Sequence, residues 1–165
     1  MAKTYSQAET VEQIANGLIP NYHHELATAR IMYVHVDKAG SKNGRELWGK
    51  AKRVTGLWEW VNEVDFIIEV ADDKWKELDE SQRTALIDHL LEHCTGEEDE
   101  QSGKMKWRMR DPEVQEFASI LHRYGVWHIG LTSFVQVAKL VQLDDIIAQE
   151  AEVDLSAGEQ VLATE

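Results

Sequence analysis

Apolar residues Val11, Ile14, Leu18 and Ile19 recur at helical spacing, which predicts helix within residues 1–30. Gly17 and Pro20 are expected to weaken or end its first piece, with a second piece near Tyr22 to Ala29. Ile31 to Val36 is rich in β-branched residues and reads as a strand. Ala39 to Gly44 is a turn cluster, Gly49 to Val54 a second strand, and Asp65 to Ala71 the clearest strand in the chain. Thr55 to Val61 is assigned to neither helix nor strand.

Trp75 and Leu78 lead into a helix from about Glu80 to Cys94, with Asp79 as N-cap and Gly96 as the stop. Glu97 to Glu100 then reads as an acidic loop. Met105, Trp107 and Met109 alternate with Lys104, Lys106, Arg108 and Arg110, which predicts a strand with one apolar and one basic face. The basic face is expected to pair with the acids of the preceding run. Asp111-Pro112 starts a helix that runs to Tyr124 and stops at Gly125, and a last helix covers about Thr132 to Ile147. The order α-β-β-α-β-α-α indicates an α+β fold, a few-stranded sheet packed against helices. The expected organisation is one domain over residues 1–149 and an acidic, mobile tail over 150–165.

Charge narrows the partners. The 165 residues carry 30 acids and 17 bases, a formal net charge of -13. Phosphate contacts supply most nucleic-acid affinity, so a general nucleic-acid binder is not expected. The bases that cluster between Lys38 and Arg53 read as a hairpin surface. Mean hydropathy is -0.42, and no apolar run approaches the roughly 18 residues that span a bilayer, so no membrane role is expected. The start MAKTYSQAET lacks an apolar stretch behind a basic one, so no secretory leader is expected. Cys94 is the single cysteine, which rules out an intrachain disulfide and suits a cytoplasmic compartment. Most of the six tryptophans are expected in the core; Trp58 and Trp60 share one face if their stretch is extended, and then line a groove.

Candidate chemistry centres on His89-Leu90-Leu91-Glu92-His93. Positions four apart on a helix differ by about 40°, so both imidazoles leave one face, one turn apart. Two nitrogens so placed reach one zinc ion at about 2.0–2.1 Å. On the helical wheel Leu86, Ile87, Leu90, Leu91 and Cys94 form the buried face, and His89 and His93 lie on its margin. That margin suits a ligand and a half-buried structural histidine alike. Cys94, on the buried side, reads as a packing thiol. A catalytic zinc site needs a third protein ligand, and the helix after Asp111-Pro112 offers Glu113, Glu116 and His122.

The stretch Ile31 to Tyr124 resembles the phage metallopeptidase family. The resemblance is carried by Ile31-Met32-Tyr33-Val34, Gly49 to Val54, Asp65 to Ala71 with Trp75, Gln82 to Cys94, Val114 to Phe117, and Arg123-Tyr124-Gly125. It implies a small zincin-like core with an active-site helix carrying H-x-x-x-H, a Zn2+ cofactor, and His89, His93 and Glu116 as ligands. It also implies hydrolysis of a peptide or protein substrate by zinc-activated water. The sequence departs from the zincin pattern at one place. The acid that usually follows the first histidine is replaced by Leu90, and Glu92, directly before His93, is the remaining candidate general base. Leu90 lies on one side of the histidine pair on the wheel and Glu92 on the other, so the two positions are not equivalent.

Two functions compete. One is a metallopeptidase-like phage protein of the host cytoplasm, with turnover questioned by Leu90. The other is a non-catalytic acidic protein on a zincin-like scaffold that binds or inhibits a basic host nucleic-acid or defence protein.

Overall fold

The computed structural model describes residues 3–112, 118–126 and 129–142. The chain divides into two compact units, Met1–Asp111 and Pro112–Glu165.

In the first unit, β1 (Tyr5–Gln7) precedes α1 (Glu9–Tyr22), a 3₁₀ turn (His24–Leu26) and β2 (Ile31–Val36). Then come β3 (Gly40–Lys42), β4 (Arg45–Leu47), β5 (Gly49–Arg53), α2 (Leu57–Asn62) and β6 (Phe66–Ala71). The unit ends with α3 (Asp72–Glu77), α4 (Glu80–Glu92), β7 (Cys94–Glu98) and β8 (Met105–Met109). The fold is α+β with small sheets. A four-stranded sheet runs in the order β1-β2-β6-β5, and two hairpins, β3-β4 and β7-β8, stand beside it. The central pair β2-β6 is parallel, and both outer pairs are antiparallel.

Strand alternation places the core. Phe66, Ile68 and Val70 of β6 share a face with Tyr33 of β2, and all four are buried. Helix α1 covers this face with Val11, Ala15 and Leu18, and α4 covers it with Ile87, Leu90 and Leu91. Gly49 of β5 makes the close approach of α4 possible: a Cβ there would lie 2.6 Å from Leu90 Cδ1. On the opposite face Glu69 is buried and paired with Lys52. Asp65, before β6, is buried and held by Arg30, whose backbone N–H and guanidinium both donate to it at 2.8 Å.

Several local expectations hold, and several are corrected. Helix α1 continues through Gly17 and Pro20 to Tyr22, because Val11, Ala15 and Leu18 anchor it on the sheet. The second N-terminal helix is only the three-residue turn His24–Leu26. The turn cluster is a hairpin whose Asn43 and Gly44 both adopt positive φ, the conformation that a tight two-residue loop needs. Asp79 caps α4 reciprocally with Gln82: Gln82 N donates to Asp79 Oδ1 at 2.8 Å, and Asp79 N to Gln82 Oε1 at 3.0 Å. Helix α4 ends at Glu92, before the expected Cys94, because Cys94 opens β7. Gly96 is therefore a strand residue rather than the helix stop. A Cβ there would meet the Trp107 ring at 2.3 Å. Glu97 and Glu98, expected in a loop, pair with Lys106 and Met105 of β8.

Strand β8 has the two faces its alternation implies. Trp107 is buried edge-on against Phe66, with ring centroids 5.6 Å apart. Arg108 pairs with Glu97 and Lys106 with Asp99. Met109 departs from the expected apolar face and is exposed. Stretch 55–61, assigned to neither element from sequence, is mostly α2, and its Trp58 and Trp60, like Trp48, are exposed, not core.

In the second unit the described residues form α5 (Ala118–Tyr124) and a helix over 129–142. The expected start of the helix after Pro112 at 113–117 and the acidic tail at 150–165 lie outside the described residues. Among the described residues no helix is long and apolar enough to cross a membrane.

Candidate metal centre

The capping box fixes where α4 begins, and Ile87, Leu90, Leu91 and the following Cys94 fix its rotation on the sheet. His89 then leaves the last turn at the edge of the buried face, and His93 follows as the C-cap. The two rings meet edge to face with centroids 4.9 Å apart.

Arg110, just after β8, fastens this end of the helix from several directions. Its backbone N–H donates to the His93 carbonyl at 2.9 Å. Its Nε donates to the Glu92 carbonyl at 2.7 Å, and its guanidinium pairs with the Glu92 carboxylate. These contacts take up carbonyls that the end of a helix leaves open.

The His93 Nδ1 lies 2.8 Å from the Arg110 carbonyl oxygen. A carbonyl only accepts, so Nδ1 carries the proton and donates. In the neutral ring the lone pair is then on Nε2. A metal-binding imidazole is commonly oriented and tautomerically fixed in this way. His89 is held below its usual 6.5 by the burial of part of its ring and by the neighbouring His93. The neutral form, the one that ligates, is thereby favoured.

The other expected site residues are placed as follows. Glu92 closes α4, with its carboxylate on Arg110. Leu90, where the zincin pattern puts its acid, is 3% exposed and packs into the core. Glu113 and Glu116 lie outside the described residues. His122 is in α5 of the second unit. Among the described residues no group of three His, Cys, Asp or Glu is assembled that would hold a metal ion. Cys94 is buried, and burial pushes its thiol up to about 12, so it is a packing residue.

Two supports were not evident from the sequence. Arg110 is one; it appears there only as the last base of an alternating strand. The other is His23, 1% exposed, whose Nε2 lies 2.6 Å from Asp88 Oδ1. This contact ties the corner after α1 to the residue preceding His89.

The chain belongs to the phage metallopeptidase family: the model of the family described as "Putative phage metallopeptidase" matches residues 3–143. No match to the chain was found among curated proteins or among solved structures.

Proposed function

We propose that this member of the phage metallopeptidase family binds zinc through His89 and His93, with Glu116 as the third ligand, on a zincin-like core. The observation that carries this reading is the hydrogen bond from His93 Nδ1 to the Arg110 carbonyl, which leaves the Nε2 lone pair of the neutral ring free, in a ring 4.9 Å from that of His89. The two histidines suit a zinc ion in donor type and in their one-turn spacing. Bound zinc would supply Lewis acidity toward a peptide carbonyl and acidify a water. The chain's own residues do the rest of the work: Arg110 orients His93, and His23 with Asp88 steadies the helix. Glu92 is the acid available as a proton acceptor, and it must leave Arg110 to act. We therefore expect weak or undetectable turnover of generic peptides, in a protein that works in the host cytoplasm.

A second reading, a non-catalytic acidic protein that binds or inhibits a basic host protein, is favoured by two observations. Leu90 fills the usual position of the base with a buried apolar side chain, and the Glu92 carboxylate is already occupied.

Metal analysis and calorimetry on protein without a histidine tag test the site. We expect about one zinc per chain, lost in His89→Ala and His93→Ala, while circular dichroism shows that both metal-free variants keep the fold of the metal-free wild type. Absence of zinc binding in the wild type would overturn the metal site. Chelator-sensitive peptidase activity, lowered by about two to four orders of magnitude in Glu92→Gln, would overturn the expectation of weak turnover.

A further inference from the structure

Helix α2 is inside out. Its sequence, Leu57-Trp58-Glu59-Trp60-Val61-Asn62, is amphipathic: at about 100° per residue, Trp60, Leu57, Val61 and Trp58 fill one continuous apolar arc. Glu59 lies opposite that arc. Such a helix normally turns its apolar arc toward a core. Here the arc faces out: Leu57 is 72% exposed, Trp58 70%, Trp60 79% and Val61 59%, and no residue of the helix is buried. The one residue partly covered by the protein is Glu59. A six-residue helix without a buried face gains little from packing. It is set in place from its ends, by Gly56 and Glu63 at positive φ and by the Val54 N–H donating to the Asp65 carbonyl at 2.8 Å.

The acidic edge beside the arc says what fits it. Arg30, Gly56, Glu59, Trp60 and Glu63 line a groove of about 450 Å³. Arg30 is committed to Asp65. Among the described residues neither Glu59 nor Glu63 forms an ion pair, although both are near enough to favour the charged form of Arg30. Two carboxylates beside an open indole suit a lysine or arginine, by charge and by contact with the ring face. The adjoining Leu57, Trp58 and Val61 suit apolar side chains, and exposed tryptophans are the residue type most often found as interface anchors. The same acids disfavour nucleic acid and an anionic lipid surface.

We propose that α2 is the docking surface for a segment of another protein in which lysines or arginines alternate with apolar residues. This surface is independent of the histidine pair.

The test uses the full chain and a fluorescent peptide of about 14 residues alternating lysine and leucine, read by anisotropy. A lysine-serine peptide of equal charge is the control. We expect the lysine-leucine peptide to bind at least about tenfold more tightly than the control. Affinity should fall at least about tenfold in Trp58→Ala/Trp60→Ala and in Glu59→Gln/Glu63→Gln. Trp58, Trp60 and Glu63 lie on the outside and Glu59 is only partly covered, and unchanged circular dichroism would show that the variants fold. No binding, or equal binding by wild type and variants, would overturn the proposal. So would sedimentation showing a wild-type dimer that Trp58→Ala/Trp60→Ala converts to a monomer, which would make a second copy the occupant.

Discussion

Helices α4 and α2 treat their apolar residues in opposite ways. Helix α4 buries Ile87, Leu90 and Leu91 and leaves its histidines at the margin. Its last turn is fastened by Arg110 and its first by the Asp79–Gln82 box. Helix α2 buries nothing and presents two tryptophans outward. On a helical wheel either sequence shows an apolar arc, which ordinarily faces a core. That rule holds for α4 because Gly49 lets the helix come close, and it fails for α2 because Glu59, not the apolar arc, is turned inward. An amphipathic pattern thus locates a surface to be covered and leaves open what covers it.

The sharpest way to break this comparison is to place a charge at equivalent points on both helices. Leu90→Glu restores the acid that the zincin pattern expects, yet Leu90 is 3% exposed and packs on β5. The variant would bury a carboxylate without a partner and leave leucine's contacts unmade. A loss of about 4 kcal/mol or more is expected, enough to abolish cooperative unfolding in a marginal domain. Trp58→Glu is expected to unfold like the wild type. If Leu90→Glu folded normally and gained hydrolysis, the buried assignment of that helix face would be wrong.

A smaller effect separates the buried end of the sheet, at Asp65, from the exposed surface of α2. Burial raises the pKa of Asp65, but its hydrogen bonds to Arg30 outweigh that and hold it below the ordinary 3.8. A carboxylate with a lowered folded pKa contributes stability that is present above its unfolded value. That stability is lost as pH falls from about 3.8 through the folded value. Asp65→Ala is expected to cost about 2–3 kcal/mol near neutral pH, from loss of charge-assisted hydrogen bonds. The penalty should shrink in acid, where the wild type loses the same term. Denaturant titrations at several pH values check the sign; a penalty that grows as pH falls would contradict it.

What was legible beforehand divides along physical lines. Strands β2, β5, β6 and β8 and the capped start of α4 are written in local composition and periodicity, and they stand close to where those signals put them. Helix α3, strand β1 and the β3-β4 hairpin are short, so their few residues carry little periodicity. Glu97 and Glu98 looked like loop because acids disfavour strands, yet opposite them stands the basic β8. The histidine pair was visible as spacing on one helix. Its support was not: the Arg110 carbonyl is a backbone atom 17 residues from His93, and His23 is 65 residues from Asp88. No side-chain pattern encodes either contact.

The smallest expected effect bears on α2 itself. Leu57 is 72% exposed, so truncation removes almost no buried area. A leucine in a core would cost about 2–5 kcal/mol when cut to alanine, because both transfer energy and a cavity are lost. At a solvated position only helix propensity changes, and alanine is a slightly better helix former than leucine. Leu57→Ala is therefore expected to shift unfolding by less than about 0.5 kcal/mol. The near-silence is informative because the residue is large and apolar. A protein gains no stability from keeping leucine, two tryptophans and a valine exposed along one short helix, so whatever those side chains do is done in contact with something else. A loss of about 2 kcal/mol in the isolated chain would instead mean that Leu57 is already covered, and the contrast with α4 would disappear.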